Sequence, residues 1–201
     1  LCRRYRARLM VDEAHSLGVL GRTGRGIEEH FGMEGAIDIK MGTLSKTIPA
    51  IGGYIAADAD TITYLKHSAR AFVFSAALPP AVCAAALAAF DVIEEEGAAR
   101  RAQLQCNVER FAGGLRRLGF DIGRTQSPII PVIVGSDDNA IRMTKLLQDD
   151  DIFALPVLPP AVPTGTSRIR ANVTAAHTAA DIDEALAAFA RAGRALGLIP
   201  S

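Results

Sequence analysis

The 201-residue chain has no excess of either charge: Lys plus Arg and Asp plus Glu both number 22. A stripe for nucleic acid or a patch for anionic membranes needs a surplus of basic residues, and this balance supplies none. No run of about 18 or more apolar residues occurs, so no membrane-spanning helix is expected. Cysteine is scarce, and Cys2, Cys83 and Cys106 show no CxxC spacing. That odd, scattered set argues against a disulfide framework or a zinc site, and no metal is expected. Cys83 and Cys106 fall in helical patterns and are expected as small core residues. A reducing, cytoplasmic setting fits this usage. No internal repeat or low-complexity linker breaks the chain. The opening Leu1 to Arg6 has no initiator Met and runs within eight residues into an apolar strand, which reads as a cut through a domain.

Apolar residues make up 49% and charged residues 22%, enough for a soluble globular protein with a real core. A short apolar strand is expected at 8–11, ending in Asp12-Glu13-Ala14-His15. Gly18, Gly21, Gly24 and Gly26 then punctuate a loop of tight turns. Further strands are expected at 37–41, ending in Gly42-Thr43-Leu44-Ser45-Lys46, and at 52–57. Asp58 is a good cap for a following helix. Pro79-Pro80 opens a helix over 81–96. After Gly97 a second, amphipathic helix runs to about Leu118, with Leu104, Val108, Phe111 and Leu115 on one face. The rest reads strand 128–134, helix 137–149, strand 152–155, strand 167–173 and helix 179–196. Two domains are expected, 1–96 and 97–201, in an α/β class.

Three strand ends converge in this reading, and in open α/β sheets ligands sit beyond the carboxyl ends of strands. One end offers Asp12 and His15, the next Thr43, Ser45 and Lys46, and the third is entered through Gly52-Gly53. Pyridoxal phosphate needs a lysine amine for a Schiff base, a carboxylate for its ring nitrogen, hydroxyls for its phosphate and a donor for its phenolic oxygen. Lys46, Asp12, Thr43 and His15 supply one of each. Gly-Arg-Thr-Gly-Arg-Gly looks like a phosphate cradle but does not match GxxxxGK[ST], so it reads as a tight loop.

Val-Asp-Glu-Ala-His-Ser-Leu-Gly-Val-Leu-Gly, Gly-Thr-Leu-Ser-Lys-Thr and Gly-Gly-Tyr together resemble the α-oxoamine synthases, fold-type I pyridoxal-phosphate enzymes. Phe72 to Pro79, Arg168-Ile169-Arg170 and Thr174-Ala175-Ala176-His177-Thr178 extend the resemblance over nearly the whole chain. It implies the C-terminal part of the cofactor-binding large domain followed by a small α/β domain, in a homodimer with a shared active site. It implies that Lys46 carries the cofactor and later moves the α-proton, that Asp12 pairs with the ring nitrogen and that His15 bonds the phenolic oxygen. Thr43 holds the phosphate, joined by Ser75 of a neighbouring subunit, and Arg170 takes the amino-acid carboxylate as a fork. Arg168 and Arg170 are expected on opposite faces of their strand. His30 and His67 read as solvated helix residues and His177 as a structural turn residue. The implied reaction joins an amino acid to an acyl thioester, on coenzyme A or an acyl carrier protein, with loss of carbon dioxide. The proline-rich 156–163 stretch leans towards the serine palmitoyltransferase branch. Family members have an N-terminal part that this chain lacks, so the isolated chain is expected to be inactive or poorly folded.

An aminotransferase of the same fold type shares the cofactor residues. A non-catalytic partner subunit would lack the lysine, and Lys46 is present. Asp-Glu-Ala-His is also a helicase motif, but a helicase needs a P-loop upstream, and only eleven residues precede Asp12.

Overall fold

The computed structural model describes residues 1–200, which fall into two units, Leu1–Arg101 and Ala102 onward. The first unit opens with a single turn, α1 (Cys2–Tyr5), and a three-residue strand, β1 (Met10–Asp12). The glycine loop and a short helix, α2 (Ile27–Phe31), lead to β2 (Ile39–Ser45), parallel to β1. The chain then doubles back into β3 (Pro49–Ala57), antiparallel to β2, giving the order β1-β2-β3. Asp58 caps α3 (Ala59–Ser68), its Oδ1 accepting the Thr61 amide at 2.8 Å. A turn of helix, α4 (Arg70–Val73), precedes α5 (Pro80–Leu118).

The structure corrects three expectations here. The second strand runs on to Ser45, because β3 begins at Pro49 and its hairpin pairs Thr43 with Gly53 and Ser45 with Pro49. The third strand begins at Pro49 rather than Gly52 and runs antiparallel to the second. Gly97 does not divide two helices: α5 is continuous for 39 residues, about 58 Å at 1.5 Å per residue. An interior glycine costs a helix only about 1 kcal/mol relative to alanine. A guanidinium nitrogen of Arg101 lies 2.7 Å from where a Cβ at Gly97 would sit.

The second unit takes the C-terminal end of α5 and adds β4 (Ile129–Gly135), α6 (Asp137–Asp149), β5 (Leu155–Val157), β6 (Ser167–Asn172) and α7 (Ala179–Ala195). Its antiparallel sheet has the order β4-β6-β5. Along β4 burial alternates, with Ile130, Val132 and Val134 inward, as the strand period of two requires. Ser136 caps α6 through the Asn139 amide, and Thr178 with Asp181 forms a capping box on α7. Phe189 of α7 is 1% exposed and meets the rings of Phe111 and Phe120 edge-on, at 5.6 and 6.2 Å between centroids. Asn107 of α5 reaches the carbonyls of Thr174 and His177, and His177 Nδ1 accepts the Thr174 amide, so His177 is a turn residue as expected.

Burial is unevenly shared. Among the described residues the buried apolar side chains of the first unit are Ile48 and Ala86, and the rest belong to the second. Of the exposed large apolar side chains, only Ile141, Phe153 and Leu155 lie in the second unit. Cys83 and Cys106 are exposed, against expectation. A helical pattern alone does not say which positions a neighbouring element covers. No helix of the described residues is long and apolar enough to cross a membrane.

Candidate functional site

The pleat of β1 and β2 decides which residues meet. Asp12 pairs with Met41, and Thr43 lies two residues further along β2. Side chains alternate along a strand, so Asp12 and Thr43 share one face on neighbouring strands. Asp12 is exposed; one of its carboxylate oxygens accepts the Ala14 amide at 2.8 Å, and the other has no partner among the described residues. The Thr43 hydroxyl lies 2.8 Å from that of Ser45 and donates to the Gly52 carbonyl at 3.2 Å. Two hydroxyls thus stand together at the end of β2.

Lys46 follows at once, in the hairpin between Ser45 and Pro49. It is exposed and forms no ion pair among the described residues. Ile48, completely buried, anchors the same turn. Two other lysines differ: Lys40 is held by Glu28 at 2.5 Å, and Lys145 pairs with Asp149. Lys66, on α3, is exposed and without an ion pair among the described residues, but lies away from the strand ends. His15 sits in the turn after Asp12, where the amides of Ser16 and Leu17 both bond the Glu13 carbonyl at 3.0 Å.

Ser75 is exposed between α4 and α5 and donates its hydroxyl to the Ala71 carbonyl. Arg170 lies in the second unit on β6, flanked by Pro131 and Leu155. It forms no hydrogen bond or ion pair among the described residues, whereas Arg168 is tied to Thr166 at 3.0 Å through two nitrogens. The two arginines do not face opposite sides. Residues two apart on a strand share a face, and Ser167, Ile169 and Ala171 are the buried set between them. A cleft of about 520 Å³ in the second unit, bordered by Phe111, Phe153, Val173 and His177, contains none of the expected site residues.

The opposite face of the first sheet carries residues that the motifs did not single out. Glu13 is 3% exposed. Tyr54 lies over Gly42, where a Cβ would come within 2.3 Å of the Tyr54 ring. Burial pushes the Tyr54 hydroxyl up, the Glu13 charge adds to this, and Lys40 opposes it. Glu28, also buried, accepts from Lys40 and from the Ile37 amide at 2.7 Å. The Asp-Glu doublet was a usable signal, since adjacent strand residues point to opposite sides. A glycine inside a strand likewise marks a close approach.

The Lys40 ammonium holds the Glu28 carboxyl below its ordinary range; burial opposes it, and the Ile37 amide adds to the lowering. A lowered folded value means stability that is present above the ordinary carboxylate range and lost as pH falls through the folded value. Glu28→Gln is therefore expected to flatten the acid limb of a plot of melting temperature against pH. An unchanged acid limb would remove Glu28 from the acid response.

The donor set fits pyridoxal phosphate: an unpaired amine, a carboxylate oxygen with no partner and two adjacent hydroxyls belong to one parallel strand pair and its hairpin. The model of the family described as aminotransferase class I and II matches residues 1–189. The chain belongs to that family. It is 44% identical to the 8-amino-7-oxononanoate synthase of Thermoanaerobacter pseudethanolicus, over 99% of this chain and 50% of that protein. It is 48% identical to the putative 8-amino-7-oxononanoate synthase of Geobacillus kaustophilus, over 99% of this chain and 51% of that protein. Among solved structures, serine palmitoyltransferase from S. paucimobilis, with a pyridoxal phosphate–myriocin aldimine bound, superposes with a TM-score of 0.93. Its identity is 34%, over 98% of this chain and 50% of that one. The 8-amino-7-oxononanoate synthase of Francisella tularensis superposes at 0.82 with 27% identity, over 93% and 55%. The chain thus spans about half the length of the curated relatives it matches, and the expected α/β fold of this enzyme class is the one observed.

Proposed function

We propose that the protein is a pyridoxal-phosphate enzyme that condenses an amino acid with an acyl thioester, releasing carbon dioxide and a thiol and leaving an α-amino ketone. The observation that carries this is Lys46, exposed and without an ion pair, in the hairpin that follows Asp12 and Thr43 on one sheet face. When bound, pyridoxal phosphate supplies an aldehyde for an amine and a ring that accepts the electron pair left at the substrate α-carbon.

The residues have distinct tasks in this reading. Asp12 offers its carboxylate oxygen to the ring nitrogen and favours the protonated form of that nitrogen. Thr43 donates a hydroxyl to the phosphate, and His15 bonds the phenolic oxygen. The Lys46 Nζ holds the cofactor, is released when the substrate amine replaces it, and then takes the α-proton. Arg170, with its fork unengaged, grips the substrate carboxylate. Ser75 completes the phosphate site from a second copy of the chain, consistent with the exposed Phe72, Val73, Phe74 and Leu78 around it. A homodimer working in the cytoplasm is part of this reading. In this reading 1–96 belong to the cofactor-binding domain and 97–201 to a smaller α/β domain, with the one helix α5 running from the first into the second.

Identities of 44% and 48% to 8-amino-7-oxononanoate synthases, against 34% to serine palmitoyltransferase, favour a product of the former type. That product has its amino and oxo groups on neighbouring carbons, as the condensation requires.

Borohydride reduction of the complete protein with pyridoxal phosphate, followed by peptide mass mapping, tests the cofactor assignment. Lys40, Lys46, Lys66 and Lys145 are the lysines of the chain. The adduct is expected at Lys46 alone. No adduct, or an even spread over the four, would sink the reading. A labelled Lys46 with exchange of amino groups between substrates, and no thioester consumption, would favour an aminotransferase.

A further inference from the structure

We propose that Glu13 is a positioning residue for Lys46: its buried carboxylate closes the loop that packs against the lysine's hairpin. This rests on the assignment of Lys46 as the cofactor lysine. Carboxylates are rarely buried without a cation, and Glu13, 3% exposed, forms no ion pair among the described residues. It is satisfied by hydrogen bonds instead. The Ser16 hydroxyl and the Ile27 amide donate to it, the latter reaching both oxygens at 3.1 and 3.2 Å.

These bonds span the glycine loop from its first turn to the start of α2. Inside the loop, Gly18 N donates to the Gly24 carbonyl at 2.8 Å and Gly26 N to the Leu20 carbonyl at 2.9 Å. Gly26 has φ +93°, and a Cβ there would collide with the Glu13 carboxylate. Gly18 has φ +76°, and a Cβ there would collide with the methyl group of Thr47. Thr47 is the residue after Lys46. The Glu13 amide, in turn, donates to the Met41 carbonyl at 2.7 Å and extends the β1–β2 ladder. Glu13 thus links three things: the strand end that carries Asp12, the turn that carries His15, and the loop wedged against the lysine's neighbour.

The test compares Glu13→Ala, Glu13→Asp and Glu13→Gln in the complete protein. Backbone amide exchange is read in the cofactor-free state, and the dissociation constant is read with pyridoxal phosphate. Alanine removes the acceptor, and aspartate keeps the charge but withdraws it from Ile27. Both are expected to speed exchange at residues 43–48 by about tenfold or more and to weaken cofactor binding by a similar factor, the scale of one buried amide left unsatisfied. Glutamine keeps the shape and an acceptor, and should hold both readings within about threefold. Faster exchange confined to 16–27, with 43–48 and affinity unchanged, would make Glu13 a loop staple only and overturn the proposal. Glutamine as damaging as alanine would also overturn it. If the alanine variant does not fold, the contrast between aspartate and glutamine decides. If the wild-type protein binds no pyridoxal phosphate, the functional reading fails, while exchange at 43–48 still judges the Glu13 link.

Discussion

Lys46→Ala in the complete protein is expected to lower turnover of amino acid and acyl thioester by about a thousandfold or more. General acid–base catalysis alone contributes about 10²–10⁴-fold, and the covalent anchor is lost with it. Binding should suffer less. Asp12, Thr43 and His15 remain, so pyridoxal phosphate is expected to associate and to leave on dialysis, without borohydride trapping. Lys46→Arg should be as inactive, because a guanidinium stays charged and cannot take a proton. Turnover within tenfold of wild type for either variant would remove Lys46 from the chemistry and leave the donor set as a binding site.

The second large effect concerns stability. Phe189→Ala is expected to cost about 3–5 kcal/mol, the usual range for deleting a buried phenyl ring. Phe189 is 1% exposed and touches two other rings, so its removal opens a cavity between α5 and α7. The unfolding midpoint should fall by about ten degrees, followed by circular dichroism because the chain has no tryptophan. Phe153→Ala serves as the control: at 79% exposure it should shift the midpoint little. Equal shifts for both would mean that the second unit does not hold its core around Phe189.

The contrast between the units shows what the amino-acid pattern made legible. In the second unit, period-two burial in β4 and the caps at Ser136 and Thr178 follow from local rules, and α6 begins and ends where the sequence predicts. β5 is displaced towards Val157, because a three-residue edge strand carries little periodic signal. In the first unit Asp12 and Thr43 share a sheet face, and Lys46 follows in the next hairpin, at the strand ends that the sequence indicated. The sense of β3 was not legible. Gly52-Gly53 marks a turn or a close approach equally well, and only the pairing of Ser45 with Pro49 resolves it. The supporting residues Glu13, Glu28 and Tyr54 escaped because their roles depend on partners distant in sequence, such as Ile27, Lys40 and Gly42.

The parallel register Met10↔Ile39, Val11↔Lys40, Asp12↔Met41 has a chemical meaning beyond architecture. Two neighbouring carboxylates, Asp12 and Glu13, differ by one methylene and by the side of the sheet on which each emerges. Sliding β1 by one residue would turn Glu13, a methylene longer, towards the lysine and drive Asp12 into the dry side beneath the glycine loop. The acid would still be present and the composition unchanged, yet the ring nitrogen proposed to pair with Asp12 would lose its counter-charge. Strand register thus acts as a selector between two acids that differ by a single carbon.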